Sequence, residues 1–236
     1  MLDNISLHNI FFLDIETVPA FPDFTSAPEA EQKLWMKKAG TLPAIKDEEP
    51  ENNYKRAGIY AEFGKIICIS AGYFTKENTF RIKSFSGENE KKLLQEFAHA
   101  VQQFCSSQGK LLCAHNGKEF DFPFIARRLL INGIALPDVL DIAGKKPWEV
   151  QHLDTMELWK FGDYKSYTTL ALLAHVFDIP TPKDDIDGSQ VGDVYWKERD
   201  LQRIVEYCQK DVLTIAQIIL KFKGEEIFGP GQIEYA

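Results

Sequence analysis

Short runs of apolar residues in the first two thirds of the chain predict β-strands. The first run, NIFFLDI, is rich in Phe and Ile and predicts a buried strand that ends at Pro19. The second and third runs are separated by a Lys-Glu-Asn turn, which predicts an antiparallel hairpin. The predicted strands cover residues 9–15, 64–74, 78–85, 110–115 and 150–154.

Other segments carry apolar residues at the spacing of an amphipathic helix. The last of them begins its repeat near Leu201 and Ile204, and Gly224 is suited to end it. The predicted helices cover residues 28–40, 88–107, about 122–131, 155–160, 168–177 and about 197–222. Strands come first and alternate with helices later, which predicts an α/β or α+β layered domain.

Residues 20–62 interrupt this alternation and are interpreted as an insertion between the first two strands of one domain that covers 1–236. Phe21, Phe24 and Trp35 either pack the inserted helix on the domain or line a groove where bases stack. The acidic stretch KDEEPENN is too polar to pack, so we expect a mobile loop whose movement gates access to the site.

The composition fits a globular protein that can bury one large core, with 44% hydrophobic residues in 236. The four cysteines lie far apart in apolar runs and lack metal-ligand spacing, so they are interpreted as reduced core residues. The amino terminus lacks the features of a signal peptide, and no apolar run approaches membrane-spanning length. We therefore expect a cytoplasmic protein without membrane contact.

The net charge of −8 argues against a protein that coats duplex nucleic acid through many phosphate contacts. It does not argue against a nuclease, because carboxylates that hold cations are neutralised and a few terminal nucleotides need only a local basic patch. The candidate basic residues, each of which could equally be part of a solvated surface, are Lys118, Arg127, Arg128, Lys160, Lys165 and Lys210.

Two carboxylates lie in the first predicted strand. Asp14 and Glu16 are two residues apart and therefore point to the same face of that strand. Two acids that face each other beside a core are costly unless a cation neutralises them. The pair predicts a metal site, and the alternative is that this end of the strand is exposed and the acids are solvated.

Two later segments carry further candidates. Asn116 follows a predicted strand, and Asp121 stands between two Phe residues at the start of a helix, where it is either a ligand or a helix cap. Tyr207 and Asp211 lie four apart on one face of the last helix, and the alternative there is a packed Tyr beside an exposed Asp. His115 lies near a motif but is interpreted as a hydrogen-bonded structural residue, like His152.

The order of these motifs, D-x-E on the first strand, Asp at a later strand-helix junction and Tyr-x-x-x-Asp on the last helix, resembles the proofreading exonuclease superfamily with four catalytic acids. Glu206 stands where the histidine branch has His, so the tyrosine branch fits better. The stretches QHLDTMELW, YTTLALLAHVFDIP and IDGSQV also resemble predicted 3′-to-5′ exonucleases related to the exonuclease domain of family B DNA polymerases.

The resemblance implies a ribonuclease-H-like three-layer fold with a mixed, mostly five-stranded sheet flanked by helices. It also implies two divalent ions held by Asp14, Glu16, Asp121 and Asp211, and carboxylate ligands favour Mg²⁺ or Mn²⁺ over zinc. Tyr207, with an ordinary pKa near 10, would orient the attacking water rather than act as a base.

By the same resemblance, the substrate is a nucleic acid with a free 3′ end, and we expect single-stranded DNA degraded to nucleoside 5′-monophosphates. Thr17 would meet the terminal 3′ hydroxyl through its backbone amide, and Asn116 would shape the cleft. Phe120 or Phe122 either stacks on a terminal base or packs in the core. An exoribonuclease and a non-catalytic nucleic-acid-binding or polymerase-binding module stay open as alternatives, as does a polymerase or DNA repair partner.

Overall fold

The computed structural model describes residues 2–43, 45–46, 48–77, 79–163, 167–180 and 186–236. One mixed sheet contains six strands in the order β5-β4-β1-β2-β3-β6. The strands are β1 Ile10–Pro19, β2 Gly64–Phe74, β3 Phe80–Ser86, β4 Leu111–Ala114, β5 Leu153–Asp154 and β6 Ile233–Tyr235. β1 lies at the centre, antiparallel to β2 and parallel to β4.

The helices lie on both faces of this sheet. They are α1 Glu29–Ala39, α2 Pro50–Asn53, α3 Glu90–Phe104, α4 Asp121–Ile131, α5 Thr155–Lys160, α6 Leu170–Val176, α7 Val191–Asp193 and α8 Leu201–Lys223. Short 3₁₀ turns cover Leu7–Asn9, Tyr54–Ile59, Asp138–Leu140, Pro147–Glu149 and Pro230–Gln232, and a π-helical turn covers Val194–Glu198. Among the described residues, none of the helices is both long and apolar enough to cross a bilayer.

The predicted three-layer mixed α/β architecture is confirmed, and the sheet contains one strand more than the five expected. The additional strand, β6, runs parallel to β3 at the edge of the sheet. Its Glu234 carboxylate accepts hydrogen bonds from the Arg81 guanidinium, with Nη2 at 2.7 Å, and from the Thr79 hydroxyl at 2.6 Å. Three residues that are held by such long-range pairs carry too short an apolar pattern to be found from the sequence.

The alternation of side chains along β1 divides the core into two layers. Phe11, Leu13 and Ile15 face a cluster formed with α3 and α4. Ile10 and Phe12 face the opposite cluster, which α8 covers. Because side chains alternate along a strand, Asp14 and Glu16 belong to the face covered by α8.

Helix α8 begins four residues later than the predicted start near residue 197. Arg199 has a left-handed backbone with φ of 60°, which separates the π-helical turn from α8. The Asp200 side chain then accepts a hydrogen bond from the backbone N–H of Arg203 and caps the helix. The predicted end is confirmed, since Gly224 has φ of 74° and closes α8.

The insertion packs on itself rather than remaining loose. Trp35 is fully buried, and its ring makes edge contacts with Tyr54 and Phe63, so packing is the role that the structure assigns to it. Residues 50–53 form α2 and Asn53 is buried, so this part of the acidic stretch is not too polar to pack, while its movement as a gate stays a prediction. The buried Asn53 side chain accepts a hydrogen bond from Trp35 Nε1 at 2.7 Å, which compensates for its burial.

Candidate metal centre

Asp14 and Glu16 bring two carboxylates to one point on the α8 face of the sheet. Ligand atoms of Asp14, Glu16 and Cys208 all lie within 4.8 Å of one another. Glu16 is buried and Asp14 is half-buried, so the solvated alternative does not describe this strand end. Burial raises the pKa of Asp14 well above its usual range, and the Asp211, Glu16 and Asp121 carboxylates raise it further.

Helix α8 brings the second pair of predicted residues to the same place. Burial raises the pKa of Glu16, and the Asp211 carboxylate is its strongest electrostatic neighbour. Asp211 follows Tyr207 by four residues on α8, so the two side chains are neighbours on one face of the helix. Burial, followed by the negative charges of Asp211, Glu16 and Asp14, raises the pKa of Tyr207, so its hydroxyl remains protonated at neutral pH.

Asp121 reaches the centre from the other face of the sheet. It is the first residue of α4, is 3% exposed, and is not the helix cap, since that position belongs to Phe120. Burial raises the pKa of Asp121 to about 8, and the Asp154 and Asp211 carboxylates add to this rise. The backbone amide of Ile15 lowers the pKa of Asp121 and partly offsets this rise, which places the Asp121 carboxylate near the strand that carries Asp14 and Glu16.

The donor set fits a hard divalent cation. Asp14, Glu16, Asp121 and Asp211 offer carboxylate oxygens, and their mutual repulsion favours either protonation or a bound cation. Burial raises the pKa of the Cys208 thiol well above its usual range, so sulfur remains a thiol rather than a thiolate ligand. Its Sγ donates to Asp14 Oδ2 at 3.5 Å and helps to orient that carboxylate.

Two residues have roles at the site that their sequence pattern did not indicate, Cys208, which was predicted only as a core residue, and Asp154. Asp154 is buried at the end of β5 and caps α5 by accepting hydrogen bonds from the N–H groups of Met156 and Glu157. Its carboxylate also accepts from the N–H groups of Asn116 at 3.0 Å and Lys118 at 3.1 Å. It therefore fixes the loop that leads to the metal centre, and its position between a predicted strand and a predicted helix is the signal that could have indicated a helix cap.

The histidines near the site are structural, as predicted. His115 Nε2 donates to the Thr168 carbonyl at 2.9 Å, so Nδ1 accepts from the Thr155 hydroxyl at 2.8 Å when the ring is neutral. Burial lowers the pKa of His115, which favours that neutral form. His152 donates to the Val139 carbonyl through Nε2 at 2.8 Å.

Two of the three predicted substrate-binding residues are sequence neighbours of the carboxylates, since Thr17 follows Glu16 and Phe120 precedes Asp121, and substrate binding by all three stays a prediction. Thr17 is half-buried and follows a register shift between Glu16 and Thr17 in the pairing of β1 with β2. Asn116 is half-buried and has a left-handed backbone with φ of 60°. Phe120 is half-buried with its ring 5.4 Å from Phe124, whereas Phe122 is fully buried and packs in the core. Stacking on a base is therefore open to Phe120 and closed to Phe122.

The predicted basic patch is smaller than expected. Arg128 does not belong to it, because its guanidinium pairs with Glu90 and donates to the Ala61 carbonyl at 2.8 Å. Lys118 Nζ pairs with Glu157 Oε2 at 2.6 Å, and Lys118 and Lys160 line one pocket. Lys165 lies outside the described residues.

The family described as "Predicted 3'-5' exonuclease related to the exonuclease domain of PolB" matches residues 59–226 of the chain. The chain belongs to this family. The match contains Asp121, Tyr207 and Asp211 but begins after β1, so Asp14 and Glu16 lie outside it. The resemblance inferred from the sequence motifs is thereby confirmed at the level of the family.

Solved structures give a second comparison. The family B DNA polymerase from the hyperthermophilic archaeon Pyrobaculum calidifontis is 18% identical with a TM-score of 0.51, and the match covers 90% of this chain. The chain spans 24% of that polymerase. The match supports the ribonuclease-H-like fold.

Two yeast structures are also similar. The yeast NOT1 MIF4G domain co-crystallized with CAF1 is 13% identical, with a TM-score of 0.41 over 99% of this chain and 85% of the other. The RNase domain of the yeast Pop2 protein is 12% identical, with a TM-score of 0.40 over 99% and 83% of the two chains.

Proposed function

We propose that this chain is a metal-dependent 3′-to-5′ exonuclease that hydrolyses phosphodiester bonds at the 3′ end of single-stranded DNA. The observation that carries the proposal is the convergence of acids from separate elements. Asp14 and Glu16 from β1, Asp121 from α4 and Asp211 from α8 influence one another's charge in a buried place. A purely structural core has no reason to collect four carboxylates, because each one is costly without a partner.

The carboxylates would hold the metal ions, and Tyr207 would orient the attacking water. Asp14, Glu16 and Asp211 would hold one Mg²⁺ or Mn²⁺, while Asp14 would hold a second whose water shell contacts Asp121. The two ions would lower the pKa of a water and neutralise charge on the leaving 3′ oxygen. The Tyr207 hydroxyl, protonated at neutral pH because its pKa is raised, would donate a hydrogen bond and orient the attacking water.

The products would be nucleoside 5′-monophosphates. Thr17 would meet the terminal 3′ hydroxyl through its backbone amide, and Asn116 and Phe120 would border the last nucleotide. DNA is proposed over RNA because the family is described by its relation to a polymerase exonuclease domain. A role in DNA repair in the cytoplasm is part of the same proposal, and the four free cysteines agree with a reducing compartment.

A digestion assay with 5′-labelled single-stranded DNA and RNA tests the proposal. We expect Mg²⁺ or Mn²⁺ to give a ladder that shortens from the 3′ end, with 5′-monophosphates released, and EDTA to stop it. Asp211→Ala should abolish the ladder. Glu206→Gln, which removes an exposed carboxylate from the same helix, is the matched control and should leave it intact.

Three results would contradict parts of this proposal. Hydrolysis without a divalent metal would contradict the metal-dependent mechanism. Retained activity in the Asp211→Ala variant would contradict the assignment of Asp211 to the active site. Digestion of RNA in preference to DNA would replace the proposed substrate with the exoribonuclease alternative.

A further inference from the structure

A pocket of about 370 Å³ lies beside the metal centre, at the C-terminal ends of β4 and β5. Its walls are the loop after β4, the segment between residues 142 and 150, and α5. This volume lies within the range of about 300 to 1,000 Å³ that is typical of small-molecule sites. The side chains of Ile142, Val150 and Met156 give it an apolar surface.

Two of the lysines that line the pocket have no ion-pair partner among the residues that the structure describes. Asp154 is directed at four backbone N–H groups, and Glu157 is paired with Lys118 at 2.6 Å. Lys145 and Lys160 also line the pocket, and neither has an ion-pair partner in the part of the chain that the structure describes. An anionic group that enters the pocket would therefore meet two ammonium groups that have no ion-pair partner there, together with the exposed carboxylate of Glu119.

Large aromatic rings stand in solvent next to this pocket. Trp148 is 77% exposed, lies two residues from Val150, and has Lys146 Nζ 5.3 Å from its ring centre. Phe161 is 76% exposed and directly follows Lys160. Exposed aromatic rings interleaved with lysines are typical of surfaces that bind single-stranded nucleic acid, where bases stack on the rings.

The pocket lies close to residues of the metal centre. Asn116 and Glu119 line it, and Asp121 follows Glu119 by two residues, a separation of at most about 7 Å along the backbone. Asp154 lines the pocket as well and is an electrostatic neighbour of Asp121. A strand whose 3′ end lies at the carboxylates therefore has this pocket within immediate reach.

We propose that this pocket binds the second nucleotide from the 3′ end of the substrate strand, on the 5′ side of the scissile phosphodiester. The base lies against Ile142, Val150 and Met156, and Lys145 and Lys160 contact the phosphate. Trp148 and Phe161 stack bases further along the strand. The inference rests on the proposed exonuclease function and adds a subsite for the strand to it.

The dependence of KM on substrate length tests the subsite. The minimal substrate is the nitrophenyl ester of thymidine 5′-monophosphate, which has no second nucleotide, and the long substrate is an octamer of thymidylate. Lys145→Glu and Trp148→Ala should each raise KM for the octamer about 10-fold, because one stacked base or lost phosphate contact has that order of effect. Neither should change the kinetics of the ester.

The control is Lys91→Glu, which makes the same charge reversal at an exposed position of α3. It should leave KM for both substrates unchanged. Anisotropy of a fluorescent thymidylate octamer in Ca²⁺ gives a second readout that needs no hydrolysis, and there Lys145→Glu should raise Kd by a similar factor. An octamer of uridylate should show the same loss, since the proposed contacts do not involve the 2′ position.

The outcomes separate the two proposals. A wild-type protein that binds the octamer in a Lys145-dependent manner but hydrolyses neither substrate contradicts the exonuclease function and supports the pocket. Hydrolysis with equal length dependence in the wild type and in the Lys145→Glu and Trp148→Ala variants overturns the pocket. A further result would also overturn the pocket. In it, thymidine 5′-monophosphate occupies the pocket, and KM for the octamer stays lower than KM for the ester in both the Lys145→Glu and the Trp148→Ala variants.

Discussion

Replacing Asp14 by Asn should stabilise the metal-free protein while it abolishes hydrolysis. The two effects have one cause, which is that Asp14 lies among Glu16, Asp121 and Asp211 and is unfavourable there without a cation. The amide has nearly the same shape as the carboxylate and can still accept the hydrogen bond from Cys208. It cannot supply the negative charge that a divalent ion requires.

The magnitude follows from the distance between the acids. Ligand oxygens of Asp14 and Glu16 lie within 4.8 Å of each other, so two full charges there repel by about 3.5 kcal/mol at an effective dielectric of about 20. Protonation of one acid relieves part of this repulsion, so we expect a gain of about 1 to 3 kcal/mol in the free energy of unfolding at pH 8. For a chain of this size, that gain raises Tm by roughly 2 to 12 °C.

The assay is thermal unfolding at pH 8 in EDTA and then in Mg²⁺ or Mn²⁺, beside the digestion assay. The wild type should gain Tm when metal is added, whereas the Asp14→Asn variant should start higher and gain little. Glu90→Gln is the matched control, because Glu90 is also a buried acid but is paired with Arg128. Losing that pair should cost about 3 to 5 kcal/mol.

A lower Tm for the Asp14→Asn variant in EDTA would refute the reasoning. It would mean that the Asp14 charge is held by favourable contacts in the metal-free protein, as the Glu90 charge is. Asp14 would then be a structural acid rather than a metal ligand.

Three further predictions concern other parts of the chain. Tyr207→Phe should lower turnover by roughly 10- to 100-fold, less than Asp211→Ala, because an orienting hydrogen bond is lost but no metal ligand; equal losses in single-turnover assays would contradict this role. Burial raises the pKa of Asp121 from 3.8 to about 8, so the metal-free folded state holds a proton that the unfolded chain releases. Stability in EDTA should be highest near pH 4 and fall towards pH 8 by about 1.4 kcal/mol per pH unit for each such proton, and urea unfolding that is flat over this window would contradict it. Asn53→Ala should lower the free energy of unfolding in urea by about 1 to 3 kcal/mol, because the buried Trp35 Nε1 loses its hydrogen-bond acceptor. Turnover per folded molecule should stay unchanged. An unchanged urea midpoint would favour the loose loop expected from the sequence.

The sequence by itself determined the features that depend on local geometry. Side chains two residues apart on a strand point to the same face, and side chains four residues apart on a helix are neighbours. These two rules placed Asp14 with Glu16, and Tyr207 with Asp211, before any contact between the elements was known. The same periodicities located the first five strands and α8, whereas β6 was too short to leave such a pattern.

Only the tertiary structure decided which other residues lie next to these two local pairs. Asp121 lies beside Asp14 because β4 pairs parallel to β1 and α4 begins close to the Ile15 amide. Asp154 holds the loop before α4 from a strand more than 30 residues later in the sequence, and its hydrogen bonds to Asn116 and Lys118 leave no periodic signal. The raised pKa values have the same origin, because burial and the approach of charges from separate elements exist only after the sheet and α8 have packed together.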